Sequence, residues 1–505
     1  MSRYIVLLLC LVPDLLPAQV YDYQWVMGIG PNNPTDIEGG TLLDFHTNPV
    51  SISYRPLASA GRTQAFTNIC NAEGILQLYT NNCSIINEQD VRIQSGNGLN
   101  APGADYEAHC GNSPNGGGYN TRSSFFLPMP GAPDKYVLFH LRYDFPTTPE
   151  YFYHVESLLY SVVDAAAANG QGAITQKNIL VAKDTLGDML AAVRHGNGRD
   201  WWVVCPQFNS DQSFLCLLTP EGVQGPYLRT TPLYWGGELN SFWWEQAVFS
   251  PNGQRYARAN SRNGIQVFDF DRCSGEFSNP LELLLPTEPK YTCGLALSAS
   301  GRFAYISTGI KIYQFDLAVS DPQASRVLLA EYNFEADPLS TTFNAMQLAP
   351  DGKIYITNTN GMYRLTVINN PNAPGPACNL VQHGVELPSK IGLWVPNFPN
   401  YRLYDAQGSP CDTLVLVATH AVPKPVSILS VAPNPARDFV QIGYLSEQLG
   451  QLQIFDAAGR LVWSQATGAS SQVCQVAVGD WSAGFYQVVL YAGREVVRQR
   501  FVVVR

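Results

Sequence analysis

The chain has 505 residues, of which 46% are apolar, 11% aromatic and only 14% charged, with a net charge of −10. An acidic chain without a lysine-rich run has no basic face to neutralise phosphates, so nucleic acid is excluded as a partner and anionic lipid finds no anchor. Gly (42) and Pro (35) are scattered evenly among the aromatics, a composition of many short strands and turns that points away from a helical protein.

The N-terminus, "MSRYIVLLLCLVPDLLPAQ", carries one Arg, an apolar run from Ile5 to Val12 and a small residue, Ala18. Residues 1–18 read as a secretory signal peptide. The run is too short to span a bilayer. Cys10 offers a second reading, a lipidated N-terminus, but Leu9 before it is too large for that signal.

From there a phrase repeats. "ICNAEGILQLYT", "FSPNGQRYARAN", "LSASGRFAYIST" and "LAPDGKIYITNT" each place a Gly (Gly74, Gly253, Gly301, Gly352) between two short alternating strands. "VRHGNGRDWWVV" at Gly198 and "LPMPGAPDKYVLFH" at Asp134 are looser copies. Asp or Asn tolerates the turn, Gly supplies positive φ, and the following Tyr, Phe and Ile alternate with polar residues as half-buried strands require. Spacings of 55, 48 and 51 residues between the last four glycines match four-stranded propeller blades. Residues 20–405 are therefore expected to form an all-β propeller of about seven blades. One further unit would hold "LWVPNFPNYRLYD" (393–405), completed by an N-terminal strand from "YQWVMGIG" or "TLLDFH" so that no sheet edge stays open. The alanine-rich "LLYSVVDAAAANGQG" is too broken by Val and Gly for a long helix.

The segments "WVMGIGPN…LLDFHTNPV", "ICNAEGILQLYTNNCSIINEQD", "FSPNGQRYARA" and "AMQLAPDGKIYI…VINNPN" resemble the propeller-type region of secreted proteins from gliding and related bacteria. The resemblance implies an extracellular propeller-like domain and carries no assigned activity.

Ten cysteines besides Cys10 suit an oxidising compartment. Sequence proximity suggests the pairs Cys70–Cys83, Cys205–Cys216, Cys273–Cys293 and Cys378–Cys411, leaving Cys110 and Cys474. No C-x-x-C motif supports a zinc ribbon.

Residues 406–426 read as a linker. Beyond them, residues 427–505 change pattern to six or seven strands with turns at "AAGR", "SAGF" and "YAGRE", as expected of a small C-terminal β-sandwich. "PNPARD" (Pro433, Asn434, Pro435), "IFDAAGRLV" (Gly459) and "WSAGFYQVVL" (Gly484, Tyr486) resemble the type A C-terminal sorting domain of the type IX secretion system. That resemblance implies passage across the outer membrane to the cell surface or medium, with the type IX machinery as partner. The two prolines deny an edge strand its donors, and the two glycines serve turns.

No nucleophile elbow, H-E-x-x-H, phosphate loop, calcium loop or cofactor fingerprint occurs, and no metal ligand set is predicted. Asp269, Asp271 and Asp316 recur at one repeat position and read as turn hydrogen-bonders. Trp201, Trp202 and Trp244 read as packing residues. Trp235, in "LYWGGELN", and Trp394 are the better candidates for ligand contact. The function that follows is a secreted or surface-displayed binding propeller for a glycan or envelope protein. The alternative is an extracellular glycan-active hydrolase or lyase, which needs two convergent carboxylates.

Overall fold

The structure, a computed structural model, describes residues 19–30, 39–59, 66–103, 106–111, 124–144, 154–236, 245–260, 263–286, 292–332, 342–359, 362–411, 428–445, 450–467, 471–492 and 495–505. The expected signal peptide lies outside these residues. Contacts divide the chain into two units, residues 1–413 and 414–505.

The first unit is a succession of seven antiparallel sheets: residues 24–55, 67–97, 124–186, 191–235, 245–283, 294–331 and 343–386, hereafter blades I to VII. Blade I has three strands and the others four, in sequence order. The outer strands of blades II and III touch through one parallel pair, Ala173 with Gln94. Each sheet packs one face on the blade before it and the other on the blade after. In blade V, Tyr256 and Phe268 pack against Trp202 and Val204 of blade IV, while Ala257 and Val267 pack against Leu295 and Ala304 of blade VI. Period-2 alternation with both faces apolar produces this, because each sheet is buried on both sides.

The repeated turn behaves alike in five blades. The amide of Gly74, Gly198, Gly253, Gly301 or Gly352 donates to the carbonyl three residues earlier. Each of these glycines has φ between +70° and +86°. This closes a type I turn with a left-handed residue, the geometry of a three-residue hairpin loop. Two of these sites differ in surroundings. A Cβ at Gly352 meets open space, whereas one at Gly253 would lie 2.6 Å from Leu403 and 2.8 Å from Val193. Gly352→Ala should therefore cost about 1 kcal/mol in urea unfolding, from backbone strain alone. Gly253→Ala should cost roughly 2 kcal/mol or more, because overpacking adds to strain.

Residues 391–402 close the ring differently from a regular strand. The Gly392 amide donates to the Gly28 carbonyl, Phe398 packs on Trp25, and Arg402 pairs with Asp22. The segment thus runs antiparallel to Gln24–Gly28, in the innermost position of blade I. It makes no ladder, because Pro396 and Pro399 lack amide donors. Its carbonyls instead serve side chains of blade VII: Leu393 accepts from Asn344 (2.6 Å) and Thr357 (2.7 Å), and Phe398 from Gln347 (3.3 Å).

The disulfides correct the proximity pairing. Among the described residues the bonds are Cys83–Cys110 and Cys273–Cys411, and Cys70, Cys205, Cys216, Cys293, Cys378 and Cys474 form no disulfide. Cys70 ends the inner strand of blade II beside the Gly74 turn, while Cys83 follows the far end of the next strand. Cys205 and Cys216 share a sheet face but sit diagonally, opposite Phe214 and Val203. Cys273 and Cys293 lie at opposite ends of their blades. The bond at Cys411 also corrects the linker. Residues 406–411 belong to the propeller, where the Ala406 amide donates to Gly196 and the disulfide packs on that glycine. Residues 412–426 of the expected linker are outside the described residues.

The second unit is a seven-stranded sandwich. One sheet holds Ile428–Ala432, Phe439–Leu445 and Ser471–Ala477. The other holds Leu461–Thr467, Gly450–Asp456, Gly484–Ala492 and Glu495–Val503. Val440, Ile442 and Val476 of the first meet Ile454, Val488 and Phe501 of the second in one core.

Candidate functional site

The inner strands of blades IV to VII and the segment 397–402 surround a cavity of about 260 Å³. Pro251, Ala299 and Pro350 of the repeated turns form its rim, so it opens on the turn face. Ala192, Ala247, Leu295, Ala296 and Met346 line its walls. Toward the opposite face Gln246 reaches across to blades VI and VII. Its amide donates to the carbonyls of Leu295 and Met346 and accepts from both of their amides, tying blade V to blades VI and VII. At the rim, Arg402 pairs with Asp22, and its guanidinium is held above the usual range by that carboxylate against the opposing effect of burial.

Beyond Gln246 lies a buried carboxyl. Glu245 accepts from the Trp235 indole N–H (3.1 Å) and from the Asp188 amide (3.2 Å), and it bonds the Asn260 side chain. Burial, then the neighbouring Asp188 carboxylate, pushes the Glu245 carboxyl up to about 8. Asp188 in turn accepts from the Tyr143 hydroxyl at 2.5 Å. Arg258 lies over the Trp235 ring at 4.8 Å, with burial lowering its guanidinium to about 10, which leaves it charged at neutral pH. The space between Asp188 and Glu245 amounts to about 10 Å³, room for one water molecule.

The expected contact residues are placed elsewhere than anticipated. Trp235 is not in a loop: it ends the strand Gly222–Trp235, is fully buried, and supports Glu245. Trp394 is also buried, in the core cluster of the first unit. Both lack the open ring face that stacking on a sugar requires. Trp201 and Trp202 are buried packing residues; the Trp202 N–H donates to the Arg272 carbonyl. Trp244 lies outside the described residues. Asp269 holds Asn279 and Asp271 holds the Cys273 amide. Asp316 grips Arg302 with both oxygens, which lowers the carboxyl below its usual range. Asp271 and Asp316 accept from the turn amides of Cys273 and Ala318, as expected, whereas Asp269 sits within a strand and bonds Asn279 and Arg255 on its neighbours. The sequence reading missed Asp188, Glu245, Gln246 and Arg402. A signal for two of them existed: "EQAVF" sets a carboxyl and an amide at the start of an otherwise apolar inner strand.

In the sandwich, the Pro433-Asn434-Pro435 segment laces the edge of Glu495–Val503. Asn434 accepts from the Val502 amide (2.9 Å) and donates to the Arg500 carbonyl, while the Ala436 amide donates to the Val502 carbonyl. Gly459 closes a turn at φ +76°, whose Asp456 accepts from the Ala458 and Arg460 amides. Gly484 begins its strand. Tyr486 packs between Trp481 and Phe501 and donates to the Ser482 carbonyl at 2.8 Å. Asn434→Ala should lower the sandwich's stability by about 1 kcal/mol. Hydrogen exchange at the Val502 amide should accelerate while propeller amides stay unchanged.

Seven blades, four of them bounding one cavity with their inner strands, followed by a sandwich with a laced edge, define a β-propeller joined to a small accessory domain. Residues 430–504 match the family model described as "Secretion system C-terminal sorting domain". The sandwich is a type IX sorting domain, so the chain engages the type IX machinery and is exported through the outer membrane to the cell surface or beyond. No curated protein matches the chain. Among solved structures it is similar to the periplasmic gluconolactonase of Pseudomonas aeruginosa (15% identity, 75% of this chain and 99% of that one, TM-score 0.39). It is similar also to a glycoside hydrolase family 43 arabinoxylan arabinofuranohydrolase of Bacillus subtilis (10%, 76% and 95%, 0.30). A third is the Cps50 (Swd1) β-propeller domain of Myceliophteria thermophila (13%, 76% and 98%, 0.29). These likenesses concern fold alone.

Proposed function

We propose that this protein is an exported binding module whose ligand seat is the cavity on the turn face. The observation that carries the reading is the cavity itself. Four blades and the closing segment converge on it, it is concave and mostly apolar, and Gln246 closes it behind. The glycan-active alternative has less support. Its candidate carboxyl pair, Asp188 and Glu245, flanks a space that admits one water and not a sugar ring. The test is a melting-temperature screen of the purified full chain against envelope lipids, peptides and glycans, repeated with Ala247→Leu and Ala192→Leu. A ligand that stabilises the native chain and neither variant supports the proposal. Binding indifferent to both variants, or turnover of any glycan, overturns it.

A further inference from the structure

The chemistry of the cavity wall restricts what the seat can hold. Five polar side chains line it: Asp22, Gln347, Asn397, Asn400 and Arg402. Each is already committed. Asp22 and Arg402 hold one another. The Gln347 amide donates to the Leu348 and Phe398 carbonyls. Asn397 donates to Leu190 (3.1 Å). Asn400 donates to Pro251 (2.7 Å) and accepts from the Arg402 amide (3.1 Å). These bonds hold the closing segment in place, so breaking them for a guest would loosen the ring.

From this we infer that the cavity takes an uncharged aliphatic chain, the apolar portion of a small amphiphile, with its head group left in water at the rim. The inference rests on the cavity being the ligand seat. A sugar entering would exchange water for walls dominated by Ala, Leu and Met side chains, and the polar groups already engaged in holding the closing segment could satisfy only part of its hydroxyls. An alkyl chain gives up no such bonds and gains contact with the apolar walls. The rim does not select a charged head, because the Asp22 and Arg402 charges offset each other. The volume of about 260 Å³ lies just below that of pockets for drug-sized ligands, which suits one short chain.

The experiment uses the purified full chain with 1-hexanol as the free chain, dihexanoyl-phosphatidylcholine below its micelle concentration as the lipid source, and glucose and cellobiose as sugars. Binding is read by titration calorimetry and by shift in melting temperature. The expected result is saturable binding of hexanol, and at least tenfold weaker binding to Ala247→Leu. A milder variant, Ala192→Leu, guards against misfolding. Equal or tighter binding of the phospholipid identifies a membrane-derived chain as the source, and hexanol binding alone a free small molecule; both support the inference. Sugar binding that the Leu variants abolish overturns the guest class and leaves the seat intact. Ligand binding of any kind that the variants do not alter overturns the seat. Failure of both alkyl probes to bind overturns the aliphatic assignment.

Discussion

The full chain is expected to melt at a lower temperature at pH 9 than at pH 5, and Glu245→Gln should remove much of that difference. Glu245 is buried where its charged form is disfavoured, first by desolvation and then by Asp188. Its carboxyl titrates near 8 in the fold and in the ordinary carboxylate range when unfolded. The folded state therefore binds the extra proton between those values. The stabilisation is fully present below the unfolded value and is lost as pH rises through about 8. At 1.36 kcal/mol per pKa unit the loss is on the order of 4 kcal/mol, or roughly 5 °C for a unit of this size. Glu245→Gln keeps the shape but offers one acceptor to the two N–H donors of Trp235 and Asp188. It should cost about 1 kcal/mol at pH 5 and still show the flatter profile. The quantity to compare is the slope, because exposed groups such as His46 titrate equally in both proteins. Parallel melting profiles for the two would contradict the assignment.

The second large effect is expected at the Cys273–Cys411 bond. It closes a separation of 138 residues and fastens the chain just after the segment that completes blade I. That segment makes no strand ladder; its buried Ile391, Trp394, Val395, Phe398 and Tyr401, its side-chain hydrogen bonds and this tether keep it seated. Cys411→Ser should destabilise the propeller by about 5 kcal/mol in the chain-entropy model. The first consequence should be local: limited proteolysis should nick residues 387–411 while the blades remain intact. Cys205→Ser with Cys216→Ser, which removes two free thiols, should leave that segment as resistant as before. If Cys411→Ser and the native chain are cleaved at the same rate under non-reducing conditions, the tether has no such role. A connected effect is expected from Gly196. A Cβ there would lie 2.3 Å from the Cys411 sulfur and 2.7 Å from that of Cys273, so Gly196→Ala should mimic loss of the bond.

Both effects arise between elements of the ring rather than within one blade. Each blade is stabilised by contacts close in sequence, but the ring is completed only when residues 391–402 dock beside Gln24–Gly28. Contacts separated by more than three hundred residues, such as Asp22 with Arg402, carry that step. A ring so closed depends on its last segment, where the disulfide acts, while the hydrogen bonds of Gln246 tie blade V to blades VI and VII.

Local information in the chain determined the blades, their turns and the export tail. A turn glycine, an alternating strand and a Pro-Asn-Pro segment each state their conformation within a dozen residues, because the forces involved are steric and near-neighbour. The ring count followed from the spacing of those turns. The tertiary structure alone decided which cysteines pair, where the closing segment lies, and that Trp235 supports a buried carboxyl rather than facing solvent. Radial convergence brings Asp188, Glu245 and Gln246 together with Leu295 and Met346. Cysteine partners depend on which end of a blade each occupies, and no sequence distance encodes that.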